Sequence, residues 1–165
     1  MASKIIRVLA AGKMEAMGRR VIEGLKPEVE VVHFMLSTHI ADELPLILEN
    51  KIPPNPSSNV AAEILGGPVS LSEKPAQALI LGGAYTDEMI TDLRALVKER
   101  QAAAAQEGRT IRQIPWIRIE SARSKFSPSD PDAYVPDVIA RFKAELFKLD
   151  GEGKLDGSDG EVYAV

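Results

Sequence analysis

Four short apolar runs, separated by segments of helical periodicity, constrain this chain more than anything else in it. They are Lys4-Ile-Ile-Arg-Val-Leu-Ala10, Val29 to Leu36, Ala78-Leu-Ile-Leu81 and Ile114-Pro-Trp-Ile-Arg-Ile119. They lack the clean period-2 alternation of a strand with one wet face, so each fits a strand covered on both faces, as in a parallel sheet. Helical stripes lie between and after them: Met14, Met17, Val21, Ile22 and Leu25; then Ile40, Leu44, Ile47 and Leu48; then Met89, Ile90, Leu93, Leu96 and Val97. A last stripe runs through Val135, Val138, Ile139, Phe142, Leu146 and Phe147. Parallel strands joined through helices cross over right-handedly. The pattern therefore predicts one α/β domain over residues 1–149, with about four parallel strands in the order 2-1-3-4 and helices on both faces.

Local signals set the boundaries. Lys26-Pro27 stops the first helix, and Thr38 is a candidate cap for the second, where Pro45 requires a late start or a kink. Thr86 is the expected N-cap of the long helix, with Asp87 and Glu88 at its positive end. Asp130-Pro131 or Val135-Pro136 opens the last one. Residues 51–77 form a Pro-rich insert holding Pro53, Pro54, Pro56, Pro68 and Pro75 around one short helix candidate, Val60 to Leu65. Pro68-Val-Ser-Leu71 within it is a candidate for an additional strand. Loops of this length are usually functional or mobile. Residues 150–165 alternate glycine with acid and read as a disordered acidic tail. The spacing of Asp150, Glu152 and Asp156 does not reproduce a calcium loop.

Composition narrows the function classes. A chain of 165 residues can bury a single core without staples. Aromatic residues are only 5%, so that core is aliphatic. The absence of cysteine excludes disulfides, thiolate metal sites and a cysteine nucleophile, and leaves a reducing cytoplasm as the default location. No secretory h-region and no apolar stretch of membrane-spanning length is visible. Residues 150–165 carry five acids against Lys154, which accounts for the formal charge of -4 and leaves the remainder neutral. Neutrality without a basic stripe argues against nucleic acid as a partner.

In open α/β sheets ligands bind outside the carboxyl ends of the strands, where the strand order reverses. Here that is between the first and third strands. The neighbouring loops offer Gly12, Lys13, Gly18 and Arg19 from one side and Gly82, Gly83, Tyr85 and Thr86 from another, with Arg118 ending the fourth strand. Arg123 and Lys125 follow in the next loop. Bare amides and basic side chains at such a rim suit an anion, so the expectation is a small anionic ligand or nucleotide contacted by Lys13, Arg19, Tyr85 and Arg118.

Two short motifs carry resemblances. Gly12-Lys-Met-Glu-Ala-Met-Gly18 resembles the Gly-x-x-Gly-x-x-Gly fingerprint of atypical short-chain Rossmann reductases, which would imply NAD or NADP. Glu15 stands in place of the middle glycine and sets a negative side chain where a pyrophosphate would approach, which disfavours both cofactors. Strand 2 also ends in Leu36-Ser37-Thr38 and lacks a ribose-binding acid. Ala78-Leu-Ile-Leu-Gly-Gly-Ala-Tyr-Thr-Asp-Glu-Met is similar to the N-terminal flavodoxin-like domain of D-2-hydroxyacid dehydrogenases. The chain is too short for that family's separate cofactor domain, so this likeness implies a fold and not the activity. More loosely, the whole chain resembles small uncharacterised Rossmann-like proteins of filamentous fungi. A Rossmann-like or flavodoxin-like plan is therefore expected.

His33 and His39 are the only histidines and, without cysteine, make no zinc set. His33, inside an apolar strand, reads as a satisfied core or surface residue. His39, near the rim, is the better acid or base, with Tyr85 the other candidate proton donor. Ser37, Ser121 and Ser124 lack a Gly-x-Ser-x-Gly elbow. Met14, Met17, Met35 and Trp116 are expected in the core. The rival to a ligand-binding domain, whose catalytic status the sequence leaves open, is a non-catalytic homodimeric interaction module that uses the insert and an exposed helix face.

Overall fold

Four of the five strands bury side chains on two faces, and the fold follows from how those faces are shared. The structure is a computed structural model that describes residues 4–67 and 69–165. The chain runs β1 (Ile6–Gly12), α1 (Glu15–Leu25), β2 (Val29–Leu36), α2 (Ile40–Leu48), α3 (Val60–Leu65), β3 (Ala78–Leu81) and α4 (Asp87–Gln106). It continues with β4 (Trp116–Arg118), a 3-10 turn at Ser121–Arg123, α5 (Pro131–Gly151) and β5 (Val162–Ala164). All strands are parallel, in the order β2-β1-β3-β4-β5. This is the order of a flavodoxin-like doubly wound sheet, with the switch point between β1 and β3.

Residues of β1 divide strictly by parity. Ile6, Val8 and Ala10 join the core under α1, α3 and α5, while Leu9 and Ala11 join the core under α2 and α4. In β2 the parity breaks. Val8 pairs with Val31 but Leu9 pairs with His33, leaving Val32 as an extra residue in a bulge. The slip puts Val29, Val31 and Phe34 on the α1 face and Val32 and Met35 on the α2 face. One inserted residue reverses which side chains reach which layer.

Helix α1 lies against α5 at a close approach set by glycine. A Cβ at Gly24 would fall 2.2 Å from Ile139 Cδ1. Helix α5 begins at Asp130-Pro131, with Pro at the first turn where its missing N–H costs nothing, and tolerates the exposed Pro136 in its interior. Thr86 caps α4 as expected, its hydroxyl oxygen accepting from Met89 N at 3.1 Å.

Several expectations need correction. Residues 150–165 are not a disordered tail. They finish α5, bury Leu155 and add β5 to the edge of β4, because Leu155, Val162 and Tyr163 supply enough apolar surface to dock a glycine-rich segment. Thr38 is not the cap of α2, since His39 holds the N-cap position without a side-chain hydrogen bond. Helix α2 starts early and keeps Pro45 inside it. Met89 and Phe147, expected on inward stripes, are exposed, and so is Met14. Within the candidate extra strand, Pro68 lies outside the described residues and 69–71 form no strand.

Candidate functional site

At the carboxyl ends of β1 and β3, between α1 and α5, is a cavity of about 450 Å³. Its walls are mostly apolar. Met17 and Val21 come from α1, Phe34 from β2, and Val138 and Phe142 from α5. Phe34 is there because of the bulge in β2, and its ring has room because residue 18 is glycine: a Cβ at Gly18 would stand 2.6 Å from the ring. Exposed Met14 and Phe126 also line the cavity and stand at its open side. The volume falls within the range of small-molecule sites.

Two hydroxyls of the cavity meet at Gly83. A side chain there would meet the Tyr134 hydroxyl at 3.0 Å and Ser121 Oγ at 3.4 Å. Ser121 donates to the Gly83 carbonyl at 3.1 Å. Ser124 accepts from the Arg141 guanidinium at 2.8 Å. Tyr134 is 7% exposed, and its hydroxyl, unlike that of Tyr85, is not an enclosed atom without a partner. Burial raises the Tyr134 phenol above its ordinary range, and the nearby Arg141 only partly offsets this. The phenol therefore stays protonated at neutral pH. Lys13 is the one charged side chain on the wall, and it makes no ion pair with a described residue.

The residues named from the sequence divide between the two faces of the sheet. Gly12, Lys13, Gly18, Gly82 and Gly83 line the cavity. Arg19 lies on α1 but pairs with Glu63 at 2.6 Å. Tyr85 is buried in the other core, under α2 and α4. Arg118 faces that side too, bonding the Tyr85 carbonyl at 3.0 Å and the Asp87 carboxylate. Thr86 is occupied as a cap. Arg123 bonds Glu120 and the Ala164 carbonyl. Lys13, Arg19, Tyr85 and Arg118 thus do not converge on one anion. Glu15, the departure from the dinucleotide fingerprint, accepts from the Ser58 hydroxyl at 2.9 Å and ties the Pro-rich insert to α1.

Sequence reasoning weighed Ser121 and Ser124 only as nucleophiles, and it missed Tyr134, Phe34 and Phe126. A signal existed for Tyr134, since it precedes Val138 and Phe142 at successive intervals of four on the α5 stripe. For Phe34 there was none, because a bulge is not written in strand periodicity.

His39 is exposed and hydrogen-bonded through Nδ1 to the Thr38 hydroxyl at 2.8 Å. His33 lies against Glu43, Nε2 to Oε1, at 2.9 Å. No group of three or more metal-ligand side chains assembles among the described residues. No described helix is long and apolar enough to cross a membrane. Tyr85, the other proton-donor candidate, has a fully enclosed hydroxyl with no partner among the described residues. Burial raises its phenol well above the ordinary value.

Replacement of Tyr85 by Phe is therefore expected to stabilise the protein by about 1 kcal/mol at neutral pH, by removing an unpaired buried hydroxyl. A raised folded-state value means that the stability tied to the phenol is present below the unfolded value, about 10, and is lost as the pH rises beyond it. Tyr85→Phe is also expected to lessen the alkaline loss. Urea melts at neutral pH and above pH 10 check both, and a destabilised variant at neutral pH would show that the hydroxyl is satisfied.

The chain is similar to the Kojic acid related protein 6 of Aspergillus oryzae, with 29% identity over 153 residues, which is 92% of this chain and 82% of that protein. No protein-family profile matches the chain. No solved structure matches it.

Proposed function

We propose that this protein binds a small organic molecule in the cavity between α1 and α5. The observation that carries this reading is the cavity's position and make-up together: apolar walls, two hydroxyls at Gly83, and a location at the switch point of a parallel sheet. Nucleotides fit less well, because the wall offers one cation and Glu15 stands at the start of α1. The similar Aspergillus protein is named for kojic acid, so kojic acid belongs in the first ligand screen beside nicotinamide cofactors, flavins and small organic acids. The homodimeric reading has less behind it: of the exposed large apolar residues, Met14 and Phe126 line the cavity, and Ile5, Ile52, Met89 and Phe147 come from four separate segments.

Thermal-shift screening with a filled-cavity control tests the proposal. A ligand at one hundred times its Kd adds about 2.7 kcal/mol, roughly 5–10 °C for a chain of this size. One ligand class is expected to stabilise the native protein and to leave Met17→Trp, which fills the cavity from α1, unmoved. Equal stabilisation of both proteins would place binding elsewhere.

A further inference from the structure

Resting on the reading that the cavity holds a small molecule, we propose that its ligand is a monoanionic organic acid, with an apolar body against Met17, Phe34 and Phe142 and one acidic oxygen group at the Gly83 corner. The apolar walls select the body. Hydrogen-bond bookkeeping selects the other end. Ser121 spends its proton on the Gly83 carbonyl, whereas Ser124, already accepting from Arg141, keeps its own. Tyr134 is more than nine-tenths buried, lines the cavity, and its hydroxyl is not among the enclosed atoms without a partner, so it is reached from the cavity. It lies beside the space that a Gly83 side chain would take. Lys13 contributes the only charge on the wall, and no carboxylate lines the cavity. The free polar capacity is thus mainly donor capacity, and it matches an acceptor group bearing a single negative charge. A neutral ligand without an acceptor would leave the Tyr134 hydroxyl dry and unpaired, which is how a site rejects an analogue.

The experiment uses matched pairs of probes on one skeleton: benzoate, cinnamate, 2-naphthoate and hexanoate, each against its primary amide, titrated by ligand-observed NMR into the full chain. At least one acid is expected to saturate the protein and to bind roughly tenfold more tightly than its amide. Lys13→Met, conservative in shape, is expected to weaken the acid by roughly fivefold to tenfold and to leave the amide within about twofold, while Tyr134→Phe is expected to weaken the acid by roughly fivefold to tenfold and the amide, whose carbonyl also accepts, by less. Met17→Trp is expected to abolish both, with Val21→Phe as a second filling variant should the first fold poorly. Acids and amides that bind alike, insensitive to Lys13 and Tyr134 but lost on filling, would overturn the monoanion proposal and leave the cavity reading standing. No binding by any probe, or binding that survives both filling variants, would overturn the two together.

Discussion

Removal of residues 152–165 is expected to cost the protein about 4 kcal/mol, although α5 would remain whole. Leu155 is 3% exposed within the α1–α5 core, and losing a buried leucine alone costs about 2–5 kcal/mol. Loss of β5 would strip β4 of its outer partner. Trp116 N bonds the Glu161 carbonyl at 2.9 Å, Glu120 N bonds the Val165 carbonyl at 2.9 Å, and Arg141 reaches the same Val165 oxygen. Some of this is returned as chain entropy, since the freed segment is glycine-rich. Trp116 is the only tryptophan and is 2% exposed, with the Arg94 guanidinium stacked 5.2 Å from its ring centre. Arg94 is itself tied to the tail through the Gly160 carbonyl. A urea melt followed by tryptophan fluorescence therefore reads both stability and the uncovering of this edge. A truncated chain with an unshifted midpoint and an unshifted emission maximum would show that the segment does not hold the sheet.

Glu43→Ala is expected to destabilise the fold by about 3 kcal/mol and to loosen the Pro-rich insert. Glu43 is 3% exposed, a rare setting for a carboxylate unless it is paired. It accepts from the Ser57 backbone N–H at 3.2 Å and from the Ser57 hydroxyl, and it faces His33 Nε2 at 2.9 Å. The Ser57 oxygen in turn accepts from Leu36 N at 3.0 Å, at the end of β2. One carboxylate thus fastens three segments, and its loss strands partners that water reaches poorly. Glu43→Gln keeps the shape and one good acceptor, and is expected to cost about half as much. A double-mutant cycle with Ser57→Ala, read by denaturation, should give a coupling of at least about 1 kcal/mol. Limited proteolysis within residues 51–77 should quicken in Glu43→Ala. Additive single mutants and unchanged proteolysis would remove the fastening role.

How much of the site was legible follows from the same residues. Gly12, Lys13, Gly18, Gly82 and Gly83 were named from their place at the strand carboxyl ends, which depends only on strand order, and they line the cavity. Tyr85 and Arg118 were named on the same ground and lie on the other face. Short loops leaving parallel strands share one rim, but side chains on that rim can turn into either helical layer, and no pattern at these positions declares the direction. The cavity's apolar character was equally hidden. Met17, Phe34, Val138 and Phe142 read as ordinary core, and core and cavity wall have one signature until it is known that nothing fills the space between them.

The sequence by itself determined the class of fold, the parallel order β2-β1-β3-β4 and which loops share the rim at the strand carboxyl ends. Those outcomes rest on local periodicity and on chirality, which act over a few residues at a time. Only the tertiary structure decided the rest. It made 162–164 a strand, since a glycine-rich segment has no strand signal until an open edge of β4 and a leucine-sized site in the core are waiting for it. It also placed Val32 in a bulge, which turned Phe34 toward the cavity and His33 toward Glu43. Register is a contest between two strands and the layers above and below them, and a single strand's pattern holds only one side of that contest.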